Sequence, residues 1–266
     1  MPNGKNDIVR LKSQRLLRCK GELGTLPKGK LLINTINAYS YNNAKKDETF
    51  ATSLVNGDVL IPDGMSVVKA SQWLGNPNAP EERVAGWDLF MYEMTKLNRL
   101  EPLETSLHHK RRKVLFFGSS EKVLNNIKDR ARKDFPNIEV VTYSPPYKEE
   151  FSAEESKVMV DFINDADPDL MWVGMTAPKQ EKWTYQHWQD MKIHCHVGTV
   201  GAVFDFYAGS AKRAPIWWQQ HGIEWLYRLI KEPRRMWRRY IIGNVEFIWY
   251  VLGEKWEFLK KGWFKG

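Results

Sequence analysis

Asp63 sits in a Pro62-Asp63-Gly64 corner directly after the short apolar run Val59–Ile61, and it is the first residue whose setting suggests chemistry. It reads two ways. Asp-Gly corners often spend the carboxylate on their own backbone, while a carboxylate held at a strand end can act as a general base. Thr35 and Asn37 end another apolar run, Lys30–Ile36, and would face the same crevice if the two runs were neighbouring strands. Taken singly, they read as loop hydrogen-bonders. Arg83 precedes a helical pattern, either as a surface charge or as a fork for phosphate or carboxylate. Gly118-Ser119-Ser120 could cradle an anion at a helix start, a weak signal because such turns are common in α/β proteins. Gln180 and Glu181 open the helical stretch after Pro178, and Asp205 closes the apolar run that follows it.

Other chemistries lose support. The six histidines (108, 109, 187, 194, 196 and 221) form no metal-ligand spacing, so neither a metal nor another cofactor is expected. No G-x-S-x-G, Walker or G-x-G-x-x-G pattern occurs, which weakens hydrolase, NTPase and dehydrogenase readings.

These residues need a scaffold, and the pattern around them supplies one. Leu170–Val173, a glycine turn ending in Pro178, a helical Lys179–Asp190 and a second apolar run Ile193–Val203 make one βαβ unit. Upstream, helical stretches at Tyr41–Val55, Met65–Leu74, Trp87–Leu100, Glu121–Lys133 and Ala153–Asn164 alternate with strands at 114–117 and 138–143. The expected fold class is α/β: a Rossmann-like, mostly parallel sheet with helices on both faces, followed by a C-terminal helical appendage. Residues 1–29, polar and basic with several glycines, read as a loose or partly ordered arm, 30–207 as the core, and 208–266 as the appendage. Its helices are expected at Pro215–Ile230 and Pro233–Leu259.

Charge concentrates in that appendage. Of the 266 residues, 12 are Trp, and the formal charge is +8. From Lys212 onward twelve Lys/Arg face five Asp/Glu, nearly the whole excess, interleaved with seven of the tryptophans. Arg228, Arg235 and Arg239 fall on one helix side with Trp225. A solvated face is the plain reading of such a run; basic residues among indoles suit an anionic membrane surface first and nucleic acid second. No window approaches the ~18 apolar residues of a spanning helix, and no signal-peptide run opens the chain. Cys19 and Cys195 match no redox or metal spacing. A cytoplasmic protein follows as the expectation.

Several stretches taken together resemble one family. They are Asn34-Thr35-Ile36-Asn37, Ile61-Pro62-Asp63-Gly64, Arg83 to Leu89, Pro178-Lys179-Gln180-Glu181, Val197-Gly198 with Gly201–Asp205, Arg213-Ala214-Pro215, and Gly222–Arg228 continuing to Glu232–Arg235. In this order they resemble the bacterial TagA/WecG/CpsF glycosyltransferases over roughly residues 30–245. The resemblance implies inverting, metal-independent transfer from a UDP-sugar donor to a polyprenyl-diphosphate-linked sugar at the cytoplasmic membrane face, by a peripheral enzyme. It makes Asp63 the base, with Thr35, Asn37, Arg83 and Gln180 around sugar and acceptor and Asp205 toward the nucleotide. Arg228, Arg235 and Arg238 would close over the site on the appendage and meet diphosphate. Nucleic acid is not an expected partner; a second copy of the chain is an open one. The sequence departs from the family in the turn Gly174-Met175-Thr176-Ala177, usually richer in glycine, and before Lys28. The donor stays open among N-acetylmannosamine, its uronic acid, glucose and glucuronic acid. The competing reading is a non-catalytic membrane-surface module; nucleic-acid binding ranks last.

Overall fold

The structure is a computed structural model and describes residues 8–100, 103–105 and 108–263. Its strands are β1 (Leu31–Ile36), β2 (Val59–Pro62), β3 (Leu103–Thr105), β4 (His108–Lys110), β5 (Arg112–Gly118), β6 (Ile138–Tyr143), β7 (Leu170–Gly174) and β8 (His196–Thr199). β3 and β4 form a small antiparallel pair. The other six form one sheet in the order β2-β1-β8-β7-β5-β6, with every neighbouring pair parallel. The helices are α1 (Ala38–Lys46), α2 (Glu48–Val55), α3 (Met65–Trp73), α4 (Gly86–Arg99), α5 (Glu121–Asp134), α6 (Ala153–Ala166), α7 (Lys179–Gln186), α8 (Ala202–Tyr207), α9 (Ile216–Gln220), α10 (Glu224–Lys231), α11 (Pro233–Trp237) and α12 (Gly243–Trp263). A π-type turn, Arg238–Ile242, joins the last two.

Strand alternation explains the two layers of helices. Val114 and Phe116 project to one face, where they pack with α4, α5 and α8 through Phe90, Ile127 and Phe204. Leu115 and Phe117 project to the other, against Met159 and Ile163 of α6 and Trp183 of α7. Each fully buried aliphatic or aromatic side chain of this kind contributes about 1.5–3 kcal/mol. The expected α/β class with a parallel sheet and helices on both faces is what the structure has.

Several boundaries differ from the sequence reading, each for a local reason. The stretch 41–55 is two helices, because Asp47 ends α1 and its Oδ1 accepts the Phe50 N–H at 2.9 Å to cap α2. The apolar run 193–203 is a strand only over His196–Thr199. It turns at Val200-Gly201 into α8, so Asp205 lies on a helix rather than at a strand end. The Pro215–Ile230 stretch breaks at Gly222, which adopts φ +69° between α9 and α10. Over the described part of the N-terminal arm, Val9, Leu11, Leu16, Leu17 and Leu23 are buried in the cores. Val9, Leu11 and Leu16 share their cluster with Tyr41 of α1 and with Phe247 and Val251 of α12. Glu254 of α12 ties that cluster together, its carboxylate accepting the backbone N–H of Leu11 and Lys12 and the Tyr41 hydroxyl at 3.2, 2.7 and 2.9 Å.

The chain leaves β5 for β6 on one side and returns through β7 on the other, so the strand order reverses between β5 and β7. A crevice opens at such a point beyond the carboxyl ends of the strands. Gly118 makes the turn there at φ +118°, where a side chain would put its Cβ 2.5 Å from the Gly174 carbonyl oxygen.

Candidate active site

The crevice is a cavity of about 1970 Å³ running along the carboxyl ends of the strands, with α10, the π-type turn and the start of α12 contributing to its lining. Thr35, Asn37, Asp63, Arg83, Gln180, Asp205 and Arg228 all line it. Residues spaced over nearly two hundred positions therefore meet in one place, because parallel strands deliver every β–α turn to the same edge of the sheet.

Asp63 follows β2, and its backbone N–H donates to the Ile36 carbonyl at 2.9 Å, which fixes the corner against β1. Gly64 must be small here, since a Cβ would come within 3.2 Å of the Asn37 Cβ. Arg83 grips the corner twice. Its Nε donates to the Asp63 carbonyl oxygen and its Nη2 to Asp63 Oδ1, both at 3.2 Å. The carboxylate thus serves a partner across the crevice rather than only its own turn. It lies at the crevice wall with 27% of the side chain exposed. Burial pushes the Asp63 carboxyl above the ordinary aspartate range. The Arg83 charge opposes the rise and the nearby Glu224 adds to it. Arg83 itself is penalised by burial, but Asp63 and Glu224 outweigh that and hold it cationic.

The other core residues differ in how free they are to meet a ligand. Thr35 is half-buried at the end of β1. Asn37 caps α1: its Oδ1 accepts the N–H of Tyr39 and Ser40 at 3.0 and 3.1 Å. Gln180 is buried, accepting the Met175 N–H at 3.2 Å and donating to Glu181 Oε1 at 2.8 Å. It braces the β7–α7 turn as well as lining the cavity. Gly201 leaves room for this brace, because a Cβ there would lie 3.1 Å from Gln180 Oε1. Asp205 is exposed at the cavity wall.

Among the arginines of the helical segment, Arg228 comes closest to the expected role. Its guanidinium lies 4.7 Å over the Phe206 ring, with Nε 4.0 Å from Glu224 Oε1. The side chain of Arg235 lies outside the described residues. Arg238 is exposed against Trp237 and is absent from the cavity lining. Arg239 takes that place, 4.4 Å over the Tyr39 ring. Arg239 belongs to the π-type turn Arg238–Ile242.

Three residues at the cavity were not singled out as site residues from sequence: Arg213, Glu224 and Glu181. Arg213 stacks 5.2 Å over the Trp87 ring. Glu224 opens α10 and pairs with Arg83 at 3.2 Å. Glu181 is buried beside Gln180. All three fall within stretches that carry the family resemblance, which was the available signal; Trp87 and Arg83, which meet Arg213 and Glu224, lie too far along the chain for spacing to reveal them. Among the described residues, no three or more His, Cys, Asp or Glu side chains gather as a metal site.

A parallel sheet with a carboxylate and several guanidinium groups at its strand ends suits transfer of a charged, nucleotide-borne group, and comparison with known proteins makes the class definite: this is a glycosyltransferase. More particularly, the chain belongs to the WecG/TagA/CpsF glycosyl transferase family, whose model matches residues 10–261. It is 31% identical over 196 residues to an N-acetylglucosaminyldiphosphoundecaprenol N-acetyl-beta-D-mannosaminyltransferase of Bacillus spizizenii, covering 74% of this chain and 69% of that one. Proteins of the same name from Bacillus subtilis (28% over 208 residues; 78% and 74% covered) and Staphylococcus aureus (29% over 208 residues; 78% and 75%) are similar as well.

Proposed function

We propose that the protein transfers a sugar from a UDP-sugar to a polyprenyl-diphosphate-linked saccharide in the synthesis of a cell-wall or extracellular polysaccharide. The transfer inverts the anomeric centre and uses no metal. One observation carries the reading: Asp63 stands at the wall of the strand-end crevice, gripped by Arg83, in the cavity that Gln180 and Asp205 also line. In a single displacement the acceptor hydroxyl gives its proton to the Asp63 carboxylate. Its oxygen bonds to the anomeric carbon, and the bond to UDP breaks on the opposite side. One carboxylate suffices, in contrast to the carboxylate pairs of most glycosidases. Raised basicity helps Asp63 accept that proton.

The departing UDP gathers negative charge. Arg83, Arg213 and Arg228 converge near Asp63 and would stabilise it, as charge-assisted hydrogen bonds do. The names of the similar proteins favour an N-acetylmannosamine-type donor; glucose and glucuronic acid are the other donors to test.

A lipid-linked acceptor calls for a membrane-facing surface, and α12 offers one. Val245, Ile248, Trp249, Leu252, Trp256 and Leu259 are exposed along one stripe, while Phe247, Val251 and Glu254 face the core. No helix among the described residues is long and apolar enough to cross a membrane. The proposal is a peripheral enzyme on the inner membrane face.

Asp63→Asn should fold as the parent does yet transfer sugar at least ~100-fold more slowly, the scale for loss of a general base. Full activity in that variant would remove Asp63 from the mechanism. A thermal-shift screen of UDP-sugars identifies the donor, because a ligand that binds the folded state raises the melting temperature.

A further inference from the structure

Glu224 brings a negative charge into a site otherwise built to receive anions. It is the first residue of α10, and its side chain is 12% exposed. Its oxygens face three guanidinium groups. Oε2 accepts from Arg83 Nη2 at 3.2 Å, and Oε1 lies 3.9 Å from Arg213 Nε and 4.0 Å from Arg228 Nε. The Arg83 nitrogen involved is the same one that donates to Asp63 Oδ1. One guanidinium nitrogen therefore serves two carboxylates, while Arg83 Nε stays on the Asp63 carbonyl oxygen.

That sharing has a chemical consequence. An arginine given wholly to one carboxylate tends to pair with it through two parallel hydrogen bonds and stabilises its charged form, which makes it a weaker base. We propose that Glu224 is a positioning residue for the transfer: it draws Arg83 partly away from Asp63 and, by holding Arg213 and Arg228, makes docking of α10 part of assembling the site. This inference rests on Asp63 being the base. The charges around Asp63 are Arg83 from the loop before α4, Arg213 from the loop before α9, and Glu224 and Arg228 from α10, with Asp88 of α4 acting on Arg213. Without Glu224, three cations would face Asp63 with no acid from the helical segment to offset them.

The test replaces Glu224 by Gln, which keeps the shape and removes the charge. Two readings are taken: the pH profile of kcat/KM with UDP-N-acetylmannosamine, and the titration of the Asp63 carboxyl carbon by NMR, assigned through Asp63→Asn. The expected result is that the acid limb and the NMR midpoint both fall by about one pH unit, the scale for losing one neighbouring like charge. If the NMR midpoint stays at its wild-type position, the proposal is overturned whatever happens to the rate. If Asp63→Asn retains full transfer, the base assignment fails instead, and the NMR midpoint alone still reports whether Glu224 acts on Asp63. Glu224→Ala carries the same expectation should the Gln variant not accumulate in folded form.

Discussion

Replacing Glu181 by Gln should flatten the pH dependence of stability, and the size of the effect follows from its surroundings. Glu181 is 2% exposed; Oε1 accepts the Gln180 amide, and Oε2 meets no hydrogen-bond partner among the described residues. Burial pushes the carboxyl up to about 7 from an ordinary value of 4.5, against the pull of the Gln180 hydrogen bond. Below pH 4.5 the acid is protonated in folded and unfolded chains alike. Between 4.5 and about 7 only the unfolded chain ionises, so stability falls as pH rises; above 7 the whole loss is present. At ~1.36 kcal/mol for each pH unit, the loss amounts to about 3 kcal/mol. Urea unfolding followed by tryptophan fluorescence at pH 5 and pH 8 measures it. From pH 5 to 8 the parent should lose about 2–3 kcal/mol more than Glu181→Gln. Other groups, including Asp63 and His196, titrate in both proteins and cancel in the difference. Equal losses in the two proteins would mean that Glu181 is already ionised when folded, and the argument from burial would fail.

Glu254→Gln should cost about 3 kcal/mol in urea unfolding, because a buried carboxylate that accepts from Leu11, Lys12 and Tyr41 is replaced by a group that accepts less. Early cleavage near residues 9–12 in limited proteolysis would accompany the loss, and undiminished resistance would refute the tie. Changing Trp249 and Trp256 together to Ser, at 60% and 61% exposure, should weaken co-sedimentation with anionic vesicles by at least ~10-fold while leaving the melting temperature nearly unchanged. Unchanged vesicle binding would mean that the α12 stripe is not the membrane face.

Elements whose local signals agree were legible in the sequence. The strand at Ile138–Tyr143 stands where alternation put it. α5 starts one residue after Ser120, whose Oγ accepts the Val123 N–H. Asp63 was legible as a candidate because a strand end followed by Asp-Gly is a local pattern. Its partner Arg83 could be placed in the same crevice only through the family resemblance. The misplaced boundary near residue 200 has a physical cause. The run 193–203 is largely apolar, and periodicity cannot separate the buried strand His196–Thr199 from the start of α8 within it. Residues 9–23 lie in a polar, basic stretch with several glycines, which hides the few leucines that pack into the cores. Helical spacing alone sets Arg239 beside Arg228 and Arg235, and Arg239 lines the cavity, whereas Arg238 entered only through the family resemblance. Glu224 meets Arg83 141 positions away, a distance no local pattern spans.

The clasp at Glu254 also bears on how the molecule is finished during synthesis. The buried residues clustered with Leu115, Phe117, Met171 and Val197 all lie at or before residue 197, so this face of the sheet can begin to pack while later residues are still being made. The half that holds Val9, Leu11 and Tyr41 is different, since its buried N–H groups find their acceptor only once residue 254 has emerged. Residues 9–12 therefore settle only after residue 254 has been made, and the half of the sheet that carries the Asp63 corner is completed later than the half built on β5 and β7.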